Sequence, residues 1–136
     1  MIRWLDHTAD AAVEIVCEKK EDVFHEFVTV LTTLLSEAKV RPVEKRDITV
    51  EASDLATVLV ALGREILYAF YTEDFVPHHM EIRFLSSSRL EGEIWGETVA
   101  SKEDVINQEV KGVTYHDLEF RQLEKGKWRA RVTFDV

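Results

Sequence analysis

Residues 128–136 read WRARVTFDV, and the alternation in this stretch indicates the class of fold. Successive side chains of a strand point to opposite faces. One face would carry four apolar side chains: Trp128, Ala130, Val132 and Phe134. The other would carry arginine, threonine and Asp135, which is next to Val136 and its terminal carboxylate. Antiparallel sheets with one covered face show this clean alternation.

Two upstream stretches have the apolar spacing of helices with one buried stripe. The first runs from Glu21 to Ser36, and the second is SDLATVLVALGREILYAFY, residues 53–71, where Ser53 or Asp54 can cap the N-terminus. Strand-like stretches surround them at residues 12–17, 48–52, 80–84, 90–100, 114–123 and 128–136. This order predicts an α+β fold, with two amphipathic helices packed on a largely antiparallel β-sheet in a single domain over residues 1–136.

The composition limits the partners and the compartment. With 26 acidic and 17 basic residues the net charge is −9, which argues against holding nucleic acid directly, so RNA is expected only through a partner. No run approaches the roughly 18 apolar residues that span a bilayer, so no membrane is expected. The one cysteine, Cys17, excludes an intrachain disulfide and a cysteine-based zinc site. We expect Cys17 to be buried. We also expect the protein to be located in the reducing cytoplasm.

The stretch DHTADAAVEIV, residues 6–16, places Asp6, His7 and Asp10 just before a strand. Such carboxylates often accept hydrogen bonds from loop N–H groups, which is one interpretation. If this segment neighbours the last strand, however, Asp10, Asp135 and the terminal carboxylate converge. Three anionic groups repel one another unless a cation joins them. The oxygen ligands would then favour Ca²⁺, Mg²⁺ or Mn²⁺.

A second polar cluster is VTYHDLEF, residues 113–120. Alternation along a strand predicts Tyr115 and Asp117 on one face, with Thr114 and His116 on the other. No serine or cysteine lies in a recognisable nucleophile turn, so these residues do not predict a catalytic triad.

Two other features of the sequence do not predict a ligand site. His78 and His79 are adjacent, so on a strand they would point to opposite faces and would not share a metal; a polar turn is the favoured interpretation. The sequence also contains no glycine-rich loop that would cradle phosphates.

Three blocks together resemble the archease family: DHTADAAVEIV at 6–16, EVKGVTYHDLEF at 109–120 and WRARVTFDV at 128–136. Their order and spacing match the family over essentially the whole chain. One departure is HTADAAVEI, because many members have Ile-Gly after the aspartate.

The resemblance implies a non-catalytic accessory protein of an RtcB-type RNA ligase, which joins tRNA halves in splicing and repairs RNA. Such proteins promote guanylylation of the ligase's active-site histidine and allow multiple turnover. The family's metal site, with Ca²⁺ as the first expectation and Mn²⁺ or Mg²⁺ as alternatives, corresponds to Asp10, Asp135 and Val136. Residues expected to support that site or contact a partner are His7, Asp6, Lys111, Tyr115 and His116.

Two alternatives remain open at the level of sequence. One is a chaperone or specificity module for a tRNA-modifying methyltransferase. The other is a stand-alone metal-dependent hydrolase, which would need an open coordination position and a general base, with His7 or His116 as the candidates.

Overall fold

The computed structural model describes residues 1–5, 11–101 and 105–136. These residues form two helices and seven strands, joined by loops. In chain order the elements are β1 (Ile2–Leu5), β2 (Ala11–Cys17), α1 (Lys20–Leu35), β3 (Glu44–Glu51), α2 (Leu55–Glu73), β4 (Phe75–Leu85), β5 (Arg89–Thr98), β6 (Gly112–Gln122) and β7 (Trp128–Asp135). The α+β class is therefore confirmed. β1 was not predicted, because four residues are too few to show a strand period.

The strands form two antiparallel sheets, where the sequence predicted one. The first has the order β1-β2-β7-β6 and the second the order β3-β5-β4. Alternation shows that a strand has one buried face, but it does not show which strands share hydrogen bonds. The division therefore could not be read from the strand pattern.

Both helices contribute apolar side chains to a core that is continuous between the sheets. Helix α1 contacts β4, β2 and β7, and α2 contacts β6, β4, β3 and β5. Asp54 caps α2 by accepting a hydrogen bond from the Thr57 amide at 2.8 Å, while the Thr57 hydroxyl accepts one from the Asp54 amide at 3.1 Å. This reciprocal capping box satisfies N–H groups that the helix itself leaves unpaired.

Helix α2 has the length and apolar composition of a membrane-spanning segment, contrary to the expectation from the sequence. The core helix of a globular domain meets the same two criteria. In this fold one side of α2 is buried, including Leu59, Leu62, Ile66 and Phe70.

Helix α2 approaches β6 closely at Gly63. A Cβ atom added there would lie 2.6 Å from Cγ2 of Val113 and 2.9 Å from Cζ of Phe27, closer than real side chains pack. Any larger residue would force the side chains of Val113 and Phe27 to shift or the helix to move. The absence of a side chain at Gly63 therefore allows α2 to lie this close to the start of β6.

Two predictions about single residues were wrong. Cys17 is only half-buried, although burial still raises the pKa of its thiol. His78 and His79 lie in strand β4 and not in a turn, and a register shift between Pro77 and His79 breaks the alternation. The two Nδ1 atoms are consequently 2.8 Å apart, where a regular strand would have separated the rings.

Candidate functional site

The end of β7 meets the starts of two other strands. Phe134 pairs with Ala11, the first residue of β2, and Asp135 pairs with Gly112, the first residue of β6. The Lys111 amide also donates a hydrogen bond to the Asp135 carbonyl at 2.7 Å. Segments that are far apart in sequence therefore meet around Asp135, which is half-buried, while Val136 is exposed.

Of the predicted ligands, Asp135 and Val136 lie at this strand end. Asp6, His7 and Asp10 lie outside the described residues. Ala11, the next residue in sequence after Asp10, is beside the site.

The first half of the polar face of β7 is fully paired. Arg129 donates to Glu14 on β2 at 2.8 Å and to Glu119 on β6 at 3.1 Å. Glu14 also pairs with Arg3 on β1 at 3.2 Å. Alternating charges thus cross all four strands of this sheet.

The second half of the same face has polar groups that lack partners among the residues that the structure describes. Arg131 lies 3.6 Å from the carboxylate of Asp117, but its buried Nε has no hydrogen-bond partner. The hydroxyl of Thr133 is also buried without one, and Thr133 is 0% exposed. Asp135 forms no ion pair with any residue that the structure describes. Because side chains alternate, Thr133 and Asp135 share this face.

An irregular segment of β6 borders this region. Thr114 pairs with Thr133 and Glu119 pairs with Arg131, so residues 115–118 lie opposite Val132 alone. Asp117 has a φ of 50°, in the left-handed region that non-glycine residues adopt infrequently. The predicted alternation from Thr114 to Asp117 is therefore wrong.

The predicted contact residues of this segment are both exposed, and each has a neighbour that the sequence did not suggest. His116 lies 3.2 Å from the carboxylate of Asp117. The hydroxyl of Tyr115 accepts a hydrogen bond from Arg64 on α2 at 3.0 Å, and the guanidinium carbon lies 4.9 Å from the ring centre. Arg64 and Tyr68 are four residues apart, the spacing of neighbours on one helix face. That spacing places these two side chains close together, but it does not indicate Tyr115 as a partner of Arg64.

The donors at the end of β7 suit a hard cation. Carboxylate, hydroxyl and carbonyl oxygens are the ligands that Ca²⁺, Mg²⁺ and Mn²⁺ take in proteins. The unpartnered Thr133 hydroxyl is the observation that fits such an ion, because a buried polar group without a partner is costly. Within the described residues, no three histidine, cysteine, aspartate or glutamate side chains form a metal cluster.

Comparison with known proteins places the chain in a family. Residues 3–136 match the model of the Archease protein family (MTH1598/TM1083). The chain belongs to the archease family. A protein archease from Thermococcus gammatolerans is 30% identical, and one from Pyrococcus abyssi is 27% identical; each match covers 100% of both chains.

Two solved structures share the fold of this archease family member. The Methanobacterium thermoautotrophicum protein 1598 has a TM-score of 0.81 at 23% identity, covering 99% of this chain and 98% of that one. A Thermotoga maritima protein, named an archease and possible chaperone, has a TM-score of 0.70 at 18% identity, covering 97% and 94%.

The charge ladder predicts unequal effects of two matched substitutions. Glu14→Ala should lower the free energy of unfolding by about 2 kcal/mol, because it leaves the largely buried Arg129 without its closest partner. Glu119→Ala should cost less than about 1 kcal/mol, since its carboxylate is 43% exposed. Urea denaturation of both variants measures the difference. Equal losses would contradict the central position of Glu14 in the ladder.

Proposed function

We propose that this protein is a non-catalytic accessory factor of an RtcB-type RNA ligase. In this role it promotes guanylylation of the ligase and allows repeated turnover in tRNA splicing and RNA repair. The observation that carries the proposal is the family match over residues 3–136. We place the protein in the cytoplasm, where its single cysteine stays reduced.

We propose a divalent-metal site formed by Asp10, Asp135 and the carboxylate of Val136, with Ca²⁺ as the first candidate and Mn²⁺ or Mg²⁺ as alternatives. Two observations support it. Ala11, which follows Asp10, pairs with Phe134, which precedes Asp135. On the polar face of β7, Arg129 is paired, whereas the buried hydroxyl of Thr133 has no hydrogen-bond partner in the described part of the chain. An ion at this end would offset the mutual repulsion of the carboxylates.

The charge of the protein suits an accessory role. A net charge of −9 favours encounter with a basic RNA-binding enzyme, because complementary charge accelerates and orients association. The same charge disfavours direct binding of an RNA backbone, so the ligase would hold the RNA. When bound, a divalent ion supplies positive charge that can stabilise phosphate groups in a partner's site.

A chaperone or specificity role towards a tRNA-modifying methyltransferase is the second candidate. The name of the Thermotoga maritima relative as a possible chaperone favours a role of this kind.

The metal site predicts a specific loss in one variant. Asp135→Asn should weaken Ca²⁺ and Mn²⁺ binding at least about tenfold, because it removes one anionic ligand with little change in shape. Asp117→Asn is the matched control, since that carboxylate is exposed and pairs with Arg131. Calorimetry on protein without a C-terminal tag measures both affinities. Unchanged affinity in Asp135→Asn, with an unchanged melting temperature, would contradict the site.

The accessory role predicts activity only in the presence of a ligase. Substoichiometric protein should convert single-turnover sealing by an RtcB-type ligase, supplied with GTP and Mn²⁺, into multiple turnover. The stimulation should fall as salt rises, since exposed charges more than about 10 Å apart are screened near 0.1 M. Asp135→Asn should fail at equal folded concentration. If the protein alone hydrolysed GTP or joined RNA ends, and Asp135→Asn lost that activity, the protein would be an enzyme.

A further inference from the structure

An open groove runs between α2 and the start of β6, and its chemistry differs from that of the protein as a whole. Its lining includes Arg64, Lys111, Tyr68, Tyr71, Thr72 and Val113. The sequence contains 26 aspartates and glutamates, yet none of those that the structure describes lines this groove. A region with two cations and no carboxylate is unusual in a protein of charge −9.

Both cations of the groove are exposed and available to an anion. Neither Arg64 nor Lys111 forms an ion pair with a described residue, whereas Arg129 and Arg131 both do. Arg64 uses one N–H group on the hydroxyl of Tyr115 and stacks near its ring, which holds the guanidinium in place. A guanidinium has five N–H donors, so several remain for a ligand.

The backbone around Lys111 is fixed on both sides. The Val110 amide donates to the hydroxyl of Tyr71 on α2 at 2.9 Å, and the Lys111 amide donates to the Asp135 carbonyl at 2.7 Å. The backbone of Lys111 is therefore anchored between α2 and β7, so its side chain extends from a fixed point beside the groove.

The aromatic side chains supply a second kind of contact. Tyr68 is 63% exposed on α2, four residues after Arg64. A large exposed aromatic side chain beside an arginine is a typical platform for a nucleobase, because bases stack on both groups. The groove thus offers charge for phosphates and a ring for a base.

We propose that this groove binds one free nucleoside triphosphate, with its phosphates on Arg64 and Lys111 and its base against Tyr68. The groove measures about 460 Å³ and is open to solvent. A polynucleotide fits less well, because binding along an RNA backbone needs many more cations than two. The proposal requires neither a ligase nor a metal ion at Asp135.

Nucleotide titration of the isolated protein, followed by amide NMR shifts, tests this site. GTP should shift the amides of Arg64, Tyr68, Lys111 and Gly112 and give a saturable Kd. Arg64→Gln and Lys111→Gln should each raise that Kd about tenfold, because each removes charge-assisted hydrogen bonds to phosphate. Matched control substitutions at exposed cations near the other end of β6, Arg121→Gln and Lys125→Gln, should leave it unchanged.

Different ligands test the two cations and the Tyr68 ring separately. Tyr68→Ala should weaken GTP binding but leave inorganic triphosphate unaffected, since triphosphate has no base to stack. A short single-stranded RNA should bind more weakly than GTP. The proposal would be overturned if GTP failed to bind at millimolar concentration, if Arg64→Gln bound it normally, or if the RNA bound more tightly.

Discussion

The pairing of β7 with β2 on one side and β6 on the other is the constraint on which the rest of the structure depends. An interior strand has both backbone edges hydrogen-bonded, so its position is fixed along its length. Because Phe134 pairs with Ala11 and Asp135 with Gly112, the starts of β2 and β6 are both held beside the end of β7. The candidate site is a product of this register.

The polar face of β7 shows how one strand serves both stability and function. At Arg129 the charges alternate across four strands and form ion pairs. Towards Asp135 this ladder of ion pairs ends, and a buried hydroxyl on Thr133 has no partner among the described residues. A bound ion or partner gains most binding free energy at polar groups that folding leaves unpaired, because folding has already removed these groups from water. The Lys111 amide also binds the Asp135 carbonyl, so one hydrogen bond joins the proposed metal site to the proposed nucleotide groove between α2 and β6.

The sequence predicted the local elements well, but not their irregularities. The helices begin within two residues of their predicted positions, because apolar spacing and the Asp54 cap are local signals. The alternation of β7 was also correct at Ala130, Val132 and Phe134, but Thr133 on the predicted polar face is buried as well. The predicted faces at His78 and at Tyr115 were wrong because a register shift adds residues to one strand only, and the partner strand that reveals the shift is remote in sequence. The contact between Arg64 and Tyr115 joins residues 51 apart, so it could not be inferred from spacing. The roles of Asp10, Asp135 and Val136 as metal ligands all remain predictions.

Paramagnetic broadening by Mn²⁺ in amide NMR spectra tests the central claim, a cation site at the end of β7, most directly. Substoichiometric Mn²⁺ should first broaden the amides of Ala11, Gly112 and Asp135, while Arg89 and Glu51 in the other sheet stay sharp. Excess Ca²⁺ should restore the broadened signals by competition. Broadening that was strongest near His78 and His79, or equal throughout the protein, would contradict the account.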